Sequence, residues 1–208
     1  MERPQFVVLV PVKDPDVGKS RLLVPAHLRP GLASAFALDT LHAARDAQGV
    51  AEVVVVTADE GFAAIVADLG FARLDDSGDL NQSLTAAAAV VREQHPTASP
   101  VALCADLPCL RPLDLEDALH AVPGGATAFV ADAEGSGTTM YAAPYDDFAP
   151  AFGDASAAGH VRSGAVPLAG ELLTLRHDVD DESSLVAAMR LGVGRFTQDV
   201  VTVLGAGA

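Results

Sequence analysis

The sequence predicts an α/β fold: a three-layer α/β/α arrangement around a mixed, mostly parallel central sheet. Three observations carry this. Short β-branched apolar runs alternate with helical patterns through the first half of the chain, and that alternation gives a parallel sheet with helices on both faces. The strand patterns of the second half are shorter and less regular, which makes the sheet mixed. At 208 residues, 50% hydrophobic and 20% charged, the chain has material for one sizeable core. No repeat or low-complexity linker divides it, so a single domain over 1–208 is expected.

Residues 6–12, FVVLVPV, read as a buried strand that opens into a polar loop holding Lys13, Asp14, Asp16, Gly18, Lys19, Ser20 and Arg21. Lys13 and Lys19 are the only lysines in a chain of net charge -15. Solubilising lysines are scattered, so this concentration points to an anion to be held. Pro30 and Gly31 precede a helix over 32–47 with Leu32, Phe36 and Leu41 on its apolar stripe. VVVVT at 53–57 is a second buried strand. Asp59 caps a helix over 60–69 that Gly70 ends. Residues 71–74 form a short third strand, 75–83 a loop and 84–94 an alanine-rich helix.

The strand at 101–105 runs into Asp106, and a helix follows over 113–120. Strands are expected at 126–131 and 139–143, with EGSGT turning the chain between them. Residues 154–163 are helical. A late strand over 172–179 would carry Asp178 and Asp180 at its end, and the helix at 182–191, closed by Gly192, is the last clear element. Ligands of such sheets sit beyond the carboxyl ends of the strands. Lys13, Thr57, Asp106 and Asp178 fall there.

Several classes are excluded. The early apolar run is too short to span a membrane and lacks a signal-peptide cleavage pattern, so no membrane and a cytoplasmic location are expected. The acidity argues against nucleic acid, which needs a basic stripe. Cys104 and Cys109 have no second pair to complete a four-sulfur zinc site, and read as reduced thiols packed like small apolar residues.

Three motifs mislead. GKS at 18–20 ends like a phosphate-binding P-loop, yet the first glycine of GxxxxGK[ST] would fall on Lys13. Gly135-Ser136-Gly137 lacks the third glycine of a dinucleotide fingerprint, which would fall on Met140, and has strand where that motif needs helix. Its glycines fit a close approach of backbone instead. The six histidines show no HxH or HExxH pairing. His160 and His177 stand beside the better candidates.

Asp106, Asp178 and Asp180 make a hard oxygen site suited to Mg2+. At i and i+2 on an extended strand, Asp178 and Asp180 share a face. Alternatively, Asp180 caps the helix that starts near Glu182. Cations at one strand end and carboxylates at two others suggest metal-assisted transfer at phosphorus. Lys13, Lys19 and Arg21 would hold a triphosphate and stabilise the departing pyrophosphate.

PVKDPDVGKSRL, LNQSL (80–84) and CADLPCL (104–110) resemble small nucleotidyltransferases of the glycosyltransferase-A-like fold. GSGTTMY (135–141), FGDASAAGHVRSGA (152–165) and RHDVDDESSL (176–185) narrow the resemblance. They are similar to the 2-phospho-L-lactate and phosphoenolpyruvate guanylyltransferases of deazaflavin coenzyme (factor 420) biosynthesis. The resemblance runs from about residue 6 to 194. It implies attack by the phosphate of a three-carbon acid, phosphoenolpyruvate or 2-phospho-L-lactate, on the α-phosphorus of GTP. The product would pass to a deazaflavin-accepting transferase. It further implies Asp106, Asp178 and Asp180 as metal ligands and Thr138, Gly153 and Ser156 on the acid's carboxylate. Lys13, Lys19, Ser20 and Arg21 match the nucleotide-phosphate loop, and Asn81 the segment near the nucleoside. Arg162 and Ser163 are weaker additions. Cys104-Ala105 departs from relatives that carry glycine before the aspartate.

A nucleotidyltransferase with another acceptor, a molybdopterin or sugar phosphate, is the nearest alternative. A large acceptor needs an aromatic-lined pocket, and the chain has eight phenylalanines, two tyrosines and no tryptophan. A non-catalytic nucleotide-binding protein of the same fold is the alternative from another class.

Overall fold

The first strand, β1 (Phe6–Pro11), shows why the sheet lies in the middle. Successive side chains of a strand point to opposite faces. Val8 and Val10 join one buried cluster, and Val7 and Leu9 join another on the far side. A strand apolar on both faces has to be covered on both. In this computed structural model the described residues are 5–13, 22 and 26–206.

After β1 come a 3-10 turn (Ala26–Leu28), α1 (Arg29–Asp46), β2 (Val50–Val56), α2 (Glu60–Asp68), β3 (Ala72–Leu74), α3 (Leu80–Gln94), β4 (Ser99–Leu103) and α4 (Pro112–Ala121). Then follow β5 (Ala128–Ala131), β6 (Thr138–Ala142), α5 (Ser156–Arg162), β7 (Val166–Pro167), α6 (Glu182–Leu191) and α7 (Arg195–Ala206). The sheet order is β3-β2-β1-β4-β6-β5-β7. Pairing is parallel except where β6 runs against both β4 and β5. Leu41 of α1, Phe62 of α2 and Leu115 of α4 pack on one face, and Leu84 of α3 and Ala157 of α5 on the other. The expected three-layer, mixed sheet is what the chain forms. No helix among the described residues is long and apolar enough to cross a membrane.

Four expectations are corrected. The helix of the 84–94 region begins at Leu80, because the Asp79 side chain accepts from the Gln82 N–H and starts it early. The late strand over 172–179 does not form. Leu172 sits at φ 41, and its carbonyl accepts from both Leu175 and Arg176, which makes a turn. The late strand is instead β7, two residues beside β5. The helix at 182–191 is capped by Asp181, not Asp180, in a reciprocal capping box with Ser184. It is also not the last helix, since α7 follows it.

The topology places a site. From β1 the sheet continues through β2 and β3 on one side and through β4 on the other, so the strand order reverses between β1 and β4. Crevices beyond the carboxyl ends of strands at such a reversal are where α/β sheets bind ligands. Because β6 is antiparallel, its first residue, Thr138, lies at this same edge, beside the end of β4, and Cys104 N–H donates to Thr139 O at 2.9 Å.

Candidate active site

Lys13 stands two residues past the end of β1 and is exposed. Lys19, Ser20 and Arg21, the rest of the expected cationic loop, lie outside the described residues. Thr57 lies at the end of β2, where its buried hydroxyl accepts from the Asp59 N–H at 3.2 Å.

Asp106 sits three residues past β4, in a loop fixed from α1. The Thr40 hydroxyl contacts Ala105 O at 3.1 Å, and Leu107 N–H donates to it at 3.1 Å. Val179 N–H donates to Asp106 O at 3.0 Å, which seats Asp178 and Asp180 against the same loop. One carboxylate oxygen from each of Asp106, Asp178 and Asp180 lies within 4.8 Å of the others. The three expected ligands therefore do converge, although not by sharing the face of a strand.

The donor set fits a hard divalent cation. Oxygens bound to Mg2+ at about 2.1 Å lie no more than about 4.2 Å apart, so small side-chain rotations would close this triad on one ion. Its electrostatics point the same way. Burial, then the nearby Asp106 and Asp180 carboxylates and to a lesser degree Asp132, push the Asp178 carboxyl up to about 7. A bound cation would relieve that repulsion.

Asp132 follows β5 and organises the turn into β6. Its carboxylate accepts from Ser136 N–H at 2.9 Å and Gly137 N–H at 2.7 Å. A Cβ on Gly137 would overlap that carboxylate, which is the close approach expected of the Gly135-Ser136-Gly137 stretch. Ser136 O in turn accepts from Ala157 N–H at 3.2 Å, linking this turn to α5.

Thr138, Gly153 and Ser156 come from two segments, the start of β6 and the loop before α5. Thr138 and Ser156 are buried. The loop is held in an unusual shape, with Gly153 at φ 136 and Ala155 at φ 52, conformations that favour glycine. The start of α5 offers an anion fewer amides than expected, because Ser156 N–H bonds Gly153 O and Ala157 N–H bonds Ser136 O.

Asn81 is hydrogen-bonded within the protein. Its Nδ2 donates to Phe152 O at 3.0 Å and its Oδ1 accepts from Phe152 N–H at 2.8 Å. Both halves of the amide thus tie α3 to the loop of Gly153 and Ser156, each keeping one further N–H or lone pair for another partner. The Ser163 hydroxyl bonds His160 O at 2.8 Å. The two histidines singled out are both engaged: His177 Nε2 bonds Ser184 O at 2.8 Å, and His160 bonds Thr138 and Ala151. Cys109 is buried and its thiol is pushed up to about 11 by that burial, an unreactive core residue as expected.

No protein-family model matches the chain, but individual proteins do. A phosphoenolpyruvate guanylyltransferase of Thermomonospora curvata is 46% identical over 195 residues, covering 91% of this chain and 86% of its own. One of Streptomyces coelicolor is 45% identical over 206 residues, covering 96% and 97%. The chain belongs to the phosphoenolpyruvate guanylyltransferase family. Among solved structures, a 4-diphosphocytidyl-2C-methyl-D-erythritol synthase superposes with TM-score 0.61 at 13% identity, covering 91% of this chain and 99% of its own. A nucleotidyl transferase from Methanothermobacter thermautotroptrophicus gives 0.59 at 16%, covering 90% and 97%. These bear out the nucleotidyltransferase fold.

Proposed function

We propose that this chain joins GMP from GTP to the phosphate of phosphoenolpyruvate, releasing pyrophosphate. The observation that carries the reading is the convergence of Asp106, Asp178 and Asp180 at the β1–β4 reversal, in a chain 46% identical to a phosphoenolpyruvate guanylyltransferase. A phosphate oxygen of the acid bonds to the α-phosphorus, and the bond from that phosphorus to the pyrophosphate oxygen breaks. The second pKa of a phosphate monoester is ~6, so the nucleophile is already an anion at neutral pH and no general base is required. The engaged state of His160 and His177 agrees with this.

Catalysis then reduces to placement and charge. Lys13, Lys19, Ser20 and Arg21 hold the triphosphate and stabilise charge on the leaving pyrophosphate. Thr138, Gly153 and Ser156 hold the carboxylate of the acid. Asp106, Asp178 and Asp180 would bind Mg2+, which screens repulsion between the two anionic substrates. A place in the biosynthesis of the deazaflavin coenzyme factor 420 follows, with the product passing to a deazaflavin-accepting transferase in the cytoplasm. The test is mass spectrometry of products from GTP, Mg2+ and phosphoenolpyruvate, 2-phospho-L-lactate, a sugar phosphate or a molybdopterin in parallel. A guanosine diphospho-linked three-carbon acid, formed fastest from phosphoenolpyruvate, is expected. Product from the sugar phosphate or pterin alone would overturn the reading, and full turnover by Asp106→Asn would remove Asp106 from the metal site.

A further inference from the structure

His160 is fully buried, yet it is not a passive core residue. Its ring is stacked on Tyr141 at 4.6 Å, with Phe129 at 5.5 Å and the edge of Phe152 at 5.9 Å. Within this apolar box both ring nitrogens are hydrogen-bonded. Ala151 N–H donates to Nε2 at 3.0 Å, and Nδ1 lies 3.0 Å from the Thr138 hydroxyl. A backbone N–H can only donate, so Nε2 must accept, and the neutral ring carries its proton on Nδ1. Burial favours that neutral form by pushing the pKa down.

The tautomer fixes the neighbour. Nδ1–H donates to Thr138 Oγ1, which turns the hydroxyl's own proton away from the ring. No other side-chain partner of this hydroxyl stands among the described residues. A hydroxyl that already accepts one hydrogen bond donates the next more strongly. The same ring holds Ala151, two residues before Gly153 and five before Ser156. One residue therefore braces both segments that line the acid subsite.

We propose that His160 is the positioning residue of the three-carbon acid subsite, presenting the Thr138 O–H as a donor to the acid's carboxylate while it fixes the loop of Gly153 and Ser156 against the same group. This rests on the guanylyltransferase reading above. His160→Phe keeps the ring and removes both bonds. Losing a donor to a charged acceptor raises the KM for the acid about 10- to 100-fold, with the KM for GTP unchanged. Thr138→Val gives a rise of the same order, and the double variant is no worse than the poorer single one, because His160 acts through Thr138. His160→Asn, whose amide can replace the Nδ1 donor, recovers part of the loss, and His160→Gln does not recover the Thr138 contribution.

An unchanged acid KM in His160→Phe, or losses that multiply in the double variant, overturns the inference. Should His160→Phe fail to fold, nitrogen-15 NMR of the wild-type imidazole decides: the Nδ1–H tautomer is expected, and the Nε2–H tautomer overturns it. If the wild-type protein releases no pyrophosphate with any three-carbon acid, it is the guanylyltransferase reading that falls. Calorimetric binding of phosphoenolpyruvate in the presence of GTP then tests His160 by itself, and equal affinity in wild type and His160→Phe overturns its role.

Discussion

Thr40 brackets Asp106. Its fully buried hydroxyl lies 3.1 Å from Ala105 O and accepts from Leu107 N–H at 3.1 Å, and it also lies 2.9 Å from Phe36 O in its own helix. A hydroxyl has one proton, so the two carbonyls share it while Leu107 supplies the other bond. Thr40→Val keeps the shape and strands the Leu107 N–H, which costs about 1–3 kcal/mol. It also releases the backbone on both sides of the first proposed metal ligand. We expect a lower denaturation midpoint at unchanged m-value and a higher Mg2+ concentration for half-maximal activity, with Thr40→Ser close to wild type. A Thr40→Val protein as stable as wild type would show that the bracket is idle.

The Asn81–Phe152 pair allows a direct choice between two roles. If Asn81 shapes the loop of Gly153 and Ser156, Asn81→Ala raises the KM for the acid about tenfold, the equivalent of one neutral hydrogen-bond pair. The KM for GTP would then stay near its wild-type value. If Asn81 reaches the nucleoside, the GTP KM rises instead. Steady-state kinetics with each substrate varied in turn separates the two.

Asp39 caps α7 from α1. Its carboxylate accepts from Phe196 N–H at 3.0 Å and Thr197 N–H at 2.9 Å, and a Cβ on Gly194 would overlap it. Asp39→Ala leaves two helix-start amides without their acceptor, a cost of about 1–2 kcal/mol. Gly194→Ala forces the carboxylate off them. Both variants should unfold earlier in denaturant and exchange the α7 amides faster, with the site itself unaltered. Unchanged exchange in α7 would refute this account.

These cases show what the sequence could and could not make legible. β1, β2 and β4 were readable because a strand buried on both faces needs a continuous β-branched run, as in VVVVT. α7 was not, because its cap lies 157 positions earlier in the chain and no local signal announces it. The LLTL run at 172–175 looks like a strand, but Leu172 at φ 41 turns the chain there. The identities of the acidic triad were legible, since hard-metal chemistry allows few residue types. Its geometry was not, because the Asp178–Asp180 segment is placed by bonds to other segments, Val179 N–H to Asp106 O and Asp180 N–H to the Ser184 hydroxyl. The hub at His160 depends on contacts with Thr138, Ala151 and Tyr141, and a lone histidine in GHVR carries no trace of them.

The acidic triad gives the folded protein a pH signature. Burial, with help from Asp106, Asp180 and Asp132, holds the Asp178 pKa at about 7, against an ordinary value of 3.8. The folded state therefore keeps a proton that the unfolded chain releases. Between about pH 4 and about pH 7 the native state binds more protons than the unfolded one, so this group's contribution to stability falls as pH rises and is fully lost above that window. Asp178→Asn cannot ionise. Without metal, the difference in thermal midpoint between variant and wild type should therefore grow in the variant's favour from pH 5 to pH 8. Taking the difference cancels the titration of groups common to both proteins. Mg2+ binds the ionised triad, so it should raise the wild-type midpoint more at pH 8 than at pH 6 and leave Asp178→Asn nearly unmoved. Parallel pH slopes for the two proteins, with an undiminished magnesium shift in the variant, would remove Asp178 from the metal site.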